Sequence, residues 1–205
     1  MLFCCFWGIE IVSCMWYNNF YKKEKGMDKK HKFYIFLDID GVMWDWNYLK
    51  QVETKSNTIV RADSVLNPKS VQALNALIHT LDQGFDTRLV VSSSWRNVKA
   101  KRDNNYLLYD YGLEYKKPID HTILRDEMDR PYTRGQEIQD YLDKHMISAM
   151  HGDYVIIDDE MDTLKPYQNA GKVIETSMSK GLNMEHIRDF LRDNPDLEEL
   201  AKDCM

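Results

Sequence analysis

Cysteine is almost missing from the body of this chain. Cys4, Cys5 and Cys14 lie in the first fifteen residues, Cys204 lies at the extreme carboxyl end, and none lies between. That spacing excludes a disulfide framework and a zinc pattern, and it suits a reducing, cytoplasmic compartment. Positive charge is not in excess either. The net charge of −6 gives no global attraction to nucleic acid and argues against an extended duplex-binding surface. The one basic run, Lys22, Lys23, Lys25, Lys29, Lys30 and Lys32, reads as a solvated leader. The six histidines form no metal-like cluster, and no Gly-x-x-x-x-Gly-Lys-Ser/Thr loop is present, so a kinase domain of that type is excluded. Internal repeats and low-complexity segments are also lacking.

No apolar run reaches the roughly 20 residues that a membrane span needs. Residues 1–26 come nearest, being apolar and aromatic at first, but Glu10 interrupts them and a basic region typical of a secretory signal is missing. Met27 opens Met-Asp-Lys-Lys-His-Lys-Phe, a suitable start just before the first strand. Residues 1–26 are therefore expected to be an upstream extension outside the fold, and 27–205 to be the folded domain. The alternative is a membrane-surface anchor with Lys22 to Lys32 as its basic flank. Membrane contact is expected only if those residues are genuine.

What the chain does contain is concentrated in Phe33-Tyr-Ile-Phe-Leu-Asp38-Ile-Asp40-Gly41-Val42. The apolar run reads as a buried strand ending in two aspartates one residue apart. Strand residues i and i+2 share a face, so Asp38 and Asp40 are expected to emerge together at its carboxyl end. Gly41 permits a sharp turn or a close backbone approach. Two carboxylates at that edge suggest a metal, or a nucleophile paired with an acid/base.

Beyond this strand, strands and helices alternate. Residues 44–66, with Trp44, Trp46 and Tyr48, read as an irregular flap or short hairpin over the strand end. Asn67-Pro68 is a helix entry, with Asn as cap and Pro in the first turn. Val71, Leu74, Leu77, Ile78 and Leu81 then recur at helical spacing up to Gly84. A strand at Arg88–Val91 runs into Ser92-Ser-Ser-Trp-Arg96, a helix is expected over 97–112, and a short strand around His121–Leu124. Thr133-Arg134-Gly135-Gln136 has the form of a capping box opening a helix. Further strands are expected at Tyr154–Ile157, ending in Asp158-Asp159, and at Lys172–Glu175, and a last helix at Met184–Arg192 behind Asn183. This order implies an α/β fold, a mostly parallel, doubly wound sheet with helices on both faces and a small flap or cap insertion.

Three strands thus end in polar clusters: Asp38/Asp40, Ser92–Ser94 with Arg96, and Asp158/Asp159. In a parallel sheet these ends share one edge. Several carboxylates there repel one another unless a cation neutralises them, and hard oxygen ligands point to Mg²⁺. Serines at a strand-to-helix turn offer an anion site. Arg134 stands at the first turn of its helix, where a cation is unfavourable, which hints at a role other than helix stability. Lys165 and Lys172 are the other candidates for a basic partner. An EF-hand is excluded, because Val42 and Met43 occupy positions that should carry acidic and glycine residues. Trp95 reads as packing under the site, and Asp162 as an outer acid or a solvated loop residue.

This assembly resembles the haloacid dehalogenase-like phosphohydrolase superfamily over about residues 33–191. The four motifs occur in order: Asp38-Ile-Asp40-Gly41-Val42, the apolar strand ending in Ser, a basic residue at a helix start (Arg134, where Lys is commoner), and Ile-Ile-Asp158-Asp159. Val-Ser-Ser-Ser-Trp-Arg96, Arg134-Gly-Gln-Glu-Ile-Gln-Asp-Tyr-Leu142, Tyr154-Val-Ile-Ile-Asp-Asp159 and the closing Thr176…Gly181-Leu182 look like the branch of small domains found in RNA repair proteins. Similarity to polynucleotide 3′-phosphatase domains is looser. The resemblance implies Asp38 as the nucleophile forming an aspartyl-phosphate and Asp40 as the general acid and base. It implies Mg²⁺ on Asp38, the Asp40 carbonyl and one of Asp158/Asp159, with Asp159 preferred as ligand and Asp158 orienting it. Ser93, or else Ser92, would bind phosphoryl oxygens, Arg134 would offset charge, and Arg96 would touch substrate.

The function expected is therefore Mg²⁺-dependent phosphomonoester hydrolysis, on a nucleotide or the terminal phosphate of a polynucleotide. A small-metabolite phosphatase and a catalytically inactive phosphate- or metal-binding module are the alternatives. Trp44, Trp46 and Tyr48 are candidates to stack on a base, or to pack in the core or flap.

Overall fold

Strand β1, Lys32–Leu37, forms because five consecutive large apolar side chains can be buried only by covering both faces of a sheet. Its alternation divides the interior in two. Phe33, Ile35 and Leu37 enter one hydrophobic cluster, and Tyr34 and Phe36 the other. The computed structural model describes residues 30–61, 64–97, 105–123 and 133–197. The expectations for residues 1–26 and 98–104, and for Leu124, lie outside the described residues.

After β1 come helix α1 (Trp46–Ser56), helix α2 (Pro68–Gly84) and strand β2 (Asp86–Val91). A 3-10 turn at Ser94–Asn97, helix α3 (Asn105–Asp110) and the short strand β3 (Asp120–His121) follow. Helix α4 (Arg134–Lys144), strand β4 (Tyr154–Asp158), helix α5 (Lys165–Asn169), strand β5 (Val173–Glu175) and helix α6 (Met184–Asp193) complete the sequence of elements. All strand pairs are parallel, in the order β3-β2-β1-β4-β5. Helices α2 and α6 cover the face of Phe33, Ile35 and Leu37 with Leu74, Leu77, Ile187 and Phe190. Helix α4 covers the opposite face with Ile138, Tyr141 and Leu142. The doubly wound α/β architecture expected from the sequence is the one found. Among the described residues no helix is long and apolar enough to cross a membrane.

The strand order places the functional edge. From β1 the chain moves to β2 and β3 on one side, then returns past β1 to β4 on the other. The switch point of the sheet therefore lies between β1 and β4, where open α/β sheets leave a crevice at the carboxyl ends of the strands. Asp38 follows β1, and Asp158 and Asp159 close β4.

Two expectations change. Residues 44–66 are not an irregular flap or hairpin, because α1 occupies Trp46–Ser56. Asp45 caps it, its Oδ1 accepting from Tyr48 N at 2.9 Å, and Asn57 ends it with φ 52°. Only Leu49 of this helix is buried, so its apolar signal is too weak to show in the sequence. Of the helix expected over 97–112, the described residues show the end of the 3-10 turn at Asn97 and helix α3 over Asn105–Asp110. The caps of α2 (Asn67 with Pro68), α4 (the Thr133/Gln136 box) and α6 (Asn183) stand where the sequence put them.

Asp45 does more than cap. It is 2% exposed, and its Oδ2 accepts from Asn67 Nδ2 at 2.7 Å, while Asn67 N donates to Met43 O at 2.7 Å. Leu182 N donates to Val42 O at 2.8 Å and Ser70 Oγ to Leu182 O at 2.8 Å. The loop after β1 is thereby tied to the start of α2 and to the 181–182 turn. Replacing Asp45 by Ala removes a cap and strands a buried amide donor, so Asp45→Ala is expected to cost about 2–4 kcal/mol. Urea denaturation should show a lower midpoint with an unchanged slope.

Candidate active site

Residue parity explains how the charged groups meet. On β1 the residues facing α4 are Tyr34 and Phe36, and Asp38 continues that face just past the strand. On β4 they are Tyr154, Ile156 and Asp158. Arg134 opens α4, the helix that covers this face. Its guanidinium reaches all the carboxylates in range: Nη2 donates to Asp38 Oδ1 at 3.2 Å, Nη1 to Glu137 Oε2 at 3.1 Å, and Nε lies 3.0 Å from Asp158 Oδ2. The last contact is misaligned for a hydrogen bond and acts as an ion pair. Asp38 is 4% exposed and Asp158 fully buried. The other two basic candidates are elsewhere. Lys172 donates to Gly152 O at 2.9 Å and lies over the Tyr154 ring, and Lys165 is exposed on α5.

Gly41 sets the position of Asp159. Its φ is 65°, and a Cβ there would fall 2.2 Å from Asp159 Oδ2 and 3.0 Å from Met178 Sδ. No L side chain fits. The Asp159 carboxylate lies against the bare backbone of the turn after β1 and is half-buried. Asp158 Oδ1 instead accepts from Glu160 N at 2.9 Å. One oxygen from each of Asp38, Asp158 and Asp159 can be chosen so that all three lie within 4.8 Å of one another. Asp162 is exposed and outside this group.

The turn after β2 brings the serines to the same edge. Ser92 N donates to Leu37 O at 2.9 Å, and Ser92 and Ser93 are both fully buried. Ser93 hydrogen-bonds Asp38 and accepts from Trp95 N at 3.3 Å. The Ser92 hydroxyl has no protein partner. The Arg96 side chain lies outside the described residues.

Asp40 does not share a strand face with Asp38 as the i, i+2 rule suggests, because the chain leaves the sheet after Leu37 and turns, Met43 N donating to Ile39 O at 2.9 Å. Two indoles hold it: Trp44 Nε1 and Trp95 Nε1 each donate to Asp40 Oδ1 at 2.7 Å. Ser94 Oγ is 3.4 Å from Asp40 Oδ2. Trp44 is 5% and Trp95 8% exposed. Both tryptophans are therefore site residues, and neither offers a face to a base. The sequence gives no sign of the Trp95 contact, whose partner is 55 positions away. The Trp44 contact spans four residues and had a local signal, an indole donor beside a turn acid.

Acid groups dominate the electrostatics. Burial pushes the Asp38 carboxyl well above the ordinary carboxylate range, and the Asp158 charge pushes it further, against the lowering pull of Arg134 and Ser93. Burial also raises Asp158, against Arg134. Asp159 is raised by burial and by the Asp40 and Glu160 charges. Three raised acids at one crevice mark a site short of positive charge. Oxygen-only donors, spaced to converge and only partly tied to protein, fit a hard divalent cation of the Mg²⁺ kind, which keeps several waters or phosphate oxygens.

A family model described as "HAD domain in Swiss Army Knife RNA repair proteins" matches residues 34–187. That span runs from β1 into α6 and contains every site residue named above. No curated protein and no solved structure matches the chain.

The raised carboxyls make a stability prediction. A folded-state acid with a raised pKa holds its proton longer than the unfolded chain does, so stability is present at low pH and lost as pH rises through the folded value. In metal-free protein Asp38→Asn removes one such charge while keeping the shape. Thermal melts in EDTA should show Asp38→Asn gaining several degrees over wild type at about pH 7.5, where about 2–4 °C corresponds to 1 kcal/mol in a domain of this size. Near pH 4.5, close to the ordinary carboxylate value, the gain should shrink.

Proposed function

The chain belongs to the family of HAD domains of Swiss Army Knife RNA repair proteins, a phosphohydrolase-type domain, and on that premise we propose that it is a Mg²⁺-dependent phosphomonoester hydrolase acting on terminal phosphates of nucleotides or polynucleotides. The observation that carries this reading is the meeting of Asp38, Arg134, Asp158 and Asp159 at the switch point of the sheet.

In this reading Asp38 attacks phosphorus and forms an aspartyl-phosphate. Asp40 supplies a proton to the leaving oxygen and later takes one from water. Mg²⁺ held by Asp38, Asp159 and the Asp40 carbonyl would neutralise the phosphoryl oxygens and the carboxylates around them. Asp158 is the orienting acid, since Arg134 and the Glu160 amide already engage it. Arg134 holds the Asp38 carboxylate in place and offsets its charge. Ser93, bonded to Asp38, is placed to steady the nucleophile and the phosphoryl group, and Ser92 beside it is fully buried. The near-complete burial of Asp38 suits a substrate that inserts only a terminal phosphate, and the net charge of −6 argues against extended duplex binding.

The nucleic-acid part has a structural support of its own. Trp46, unlike Trp44, is 46% exposed, and it sits edge-on to Trp44 with ring centroids 5.3 Å apart. It is an exposed aromatic next to the ring that binds Asp40, with surface to offer a base, and such stacking contributes about 1–3 kcal/mol per base.

Phosphate release should therefore require Mg²⁺, be abolished by EDTA, and fall at least about a thousandfold in Asp38→Asn, whose amide cannot serve as the nucleophile. The panel is an aryl phosphate, 5′- and 3′-mononucleotides, and oligonucleotides bearing either terminal phosphate. Retained binding with no turnover in the wild type would instead favour a phosphate-binding module. Trp46→Ala should raise KM for nucleotide substrates roughly 5–100-fold relative to the aryl phosphate, matching the loss of one stacked base.

A further inference from the structure

Both indole N–H groups around Asp40 point to the same atom. An indole N–H donates and cannot accept. With Trp44 Nε1 and Trp95 Nε1 each 2.7 Å from Oδ1, both lone-pair directions of that oxygen are taken by donors. A proton on the Asp40 carboxyl has one place left, Oδ2. Among the described residues the contact near Oδ2 is Ser94 Oγ, at a long 3.4 Å and on an exposed residue. The Asp40 charge also acts on Asp159, so the carboxyl is beside the acid cluster.

The two tryptophans reach Asp40 from different elements. Trp44 stands at the end of the turn that Gly41 makes, backbone-bridged to Asp40 itself. Trp95 stands in the 3-10 turn after β2, following the two buried serines. Both rings are almost wholly buried, so their N–H groups are held by packing rather than by solvent. Burial of two indoles around one carboxylate oxygen fixes the plane and rotation of the group. A single donor would fix only a direction.

We infer that Trp44 and Trp95 are positioning residues that clamp Asp40 Oδ1 and thereby make Oδ2 the atom that exchanges the proton in the reaction. The inference rests on the phosphatase reading above and adds to it the identity of the proton-carrying atom and of the residues that select it. In the first step a bond forms between the Asp38 carboxylate oxygen and phosphorus. The bond from phosphorus to the leaving oxygen breaks with its electron pair on that oxygen, and Oδ2 gives it a proton. In the second step water adds to phosphorus and passes its proton to Oδ2. The bond from phosphorus to Asp38 breaks, returning the carboxylate and releasing inorganic phosphate.

The test uses the dependence on leaving group. An alkyl phosphate expels a strongly basic oxygen and needs the proton, whereas a nitrophenyl phosphate expels a stable phenolate and needs it little. Loss of the clamp leaves Asp40 present but misdirected. In Trp44→Phe and Trp95→Phe the ratio of alkyl to nitrophenyl kcat/KM, which reports the first step alone, should fall about tenfold or more, the scale of a mispositioned catalytic group. Where a Phe variant fails to fold, by circular dichroism, site-specific replacement of the same tryptophan by benzothienylalanine keeps the ring shape and removes the N–H. That replacement should give the same fall in ratio. Equal losses of kcat/KM on both esters, or no change on either, in folded variants would overturn the clamp while leaving the phosphatase reading intact. Absence of turnover of both esters by the wild-type chain with Mg²⁺ would overturn the phosphatase reading, and the clamp's role with it.

Discussion

The Arg134 guanidinium is the constraint on which the rest of the site depends. Three carboxylates, Asp38, Asp158 and Glu137, converge on it, and all three are nearly or wholly buried. Without it Asp38 and Asp158 would lose their ion pair in a buried setting, and breaking a buried pair costs about 3–5 kcal/mol. With it the group remains negative, since one positive charge faces three acids, with Asp159 and Asp40 close by. The raised Asp38 and Asp158 carboxyls express that imbalance. The fold therefore accepts an unfavourable cluster at the edge of its sheet and offsets it elsewhere, in the two hydrophobic clusters that sandwich β1 and β4. Such sites are where natural proteins give up stability for function.

The cluster follows from topology and parity, without any unusual local structure. A strand whose even-numbered residues face α4 places Asp38 on that face when the chain leaves the sheet. A strand β4 whose even-numbered residues face the same way places Asp158 there. The return crossing from β3 to β4 carries α4 over them, and the Thr133 capping box fixes where that helix begins, so Arg134 can only be its first residue. A cation at a helix N-terminus is unfavourable by itself. Here the acids supplied by two strands and by the next turn of the helix, Glu137, reverse the balance.

The parts of this arrangement that were readable from the sequence are those encoded within a few residues. The buried strands ending in Asp38 and Asp158-Asp159, the Asn67-Pro68 entry, and the Thr133/Gln136 box all carry their signal locally, and the structure has each of them. The helix α1 was not legible, because only Leu49 of its residues is buried and its cap, Asp45, is recognisable only beside a helix. The helix α5 was missed too: it is five residues long, with Tyr167 as its one buried residue, although Pro166 in its first turn was a signal. The Trp95 contact with Asp40 depends on β2 lying beside β1 in register, Leu37 opposite Val91, which brings the two turns together. Strand pairing is long-range information, and periodicity along the chain does not contain it.

Gly41 joins these levels. Its positive φ belongs to the turn that follows once the chain has left the sheet after Leu37, the turn across which Asp40 and Trp44 are bridged. Its missing side chain is also the space filled by the Asp159 carboxylate from the neighbouring strand. A residue with a side chain would oppose both at once, straining the turn and pushing Asp159 out of the reach it shares with Asp38 and Asp158. One hydrogen atom in place of a methyl group thus permits Asp40, Asp38 and Asp159 to gather at one edge of the sheet. The short Asp-x-Asp-Gly run is informative for this reason. The two acids stand at the end of the strand, and the glycine supplies the room in which a third, more than a hundred residues later, can join them.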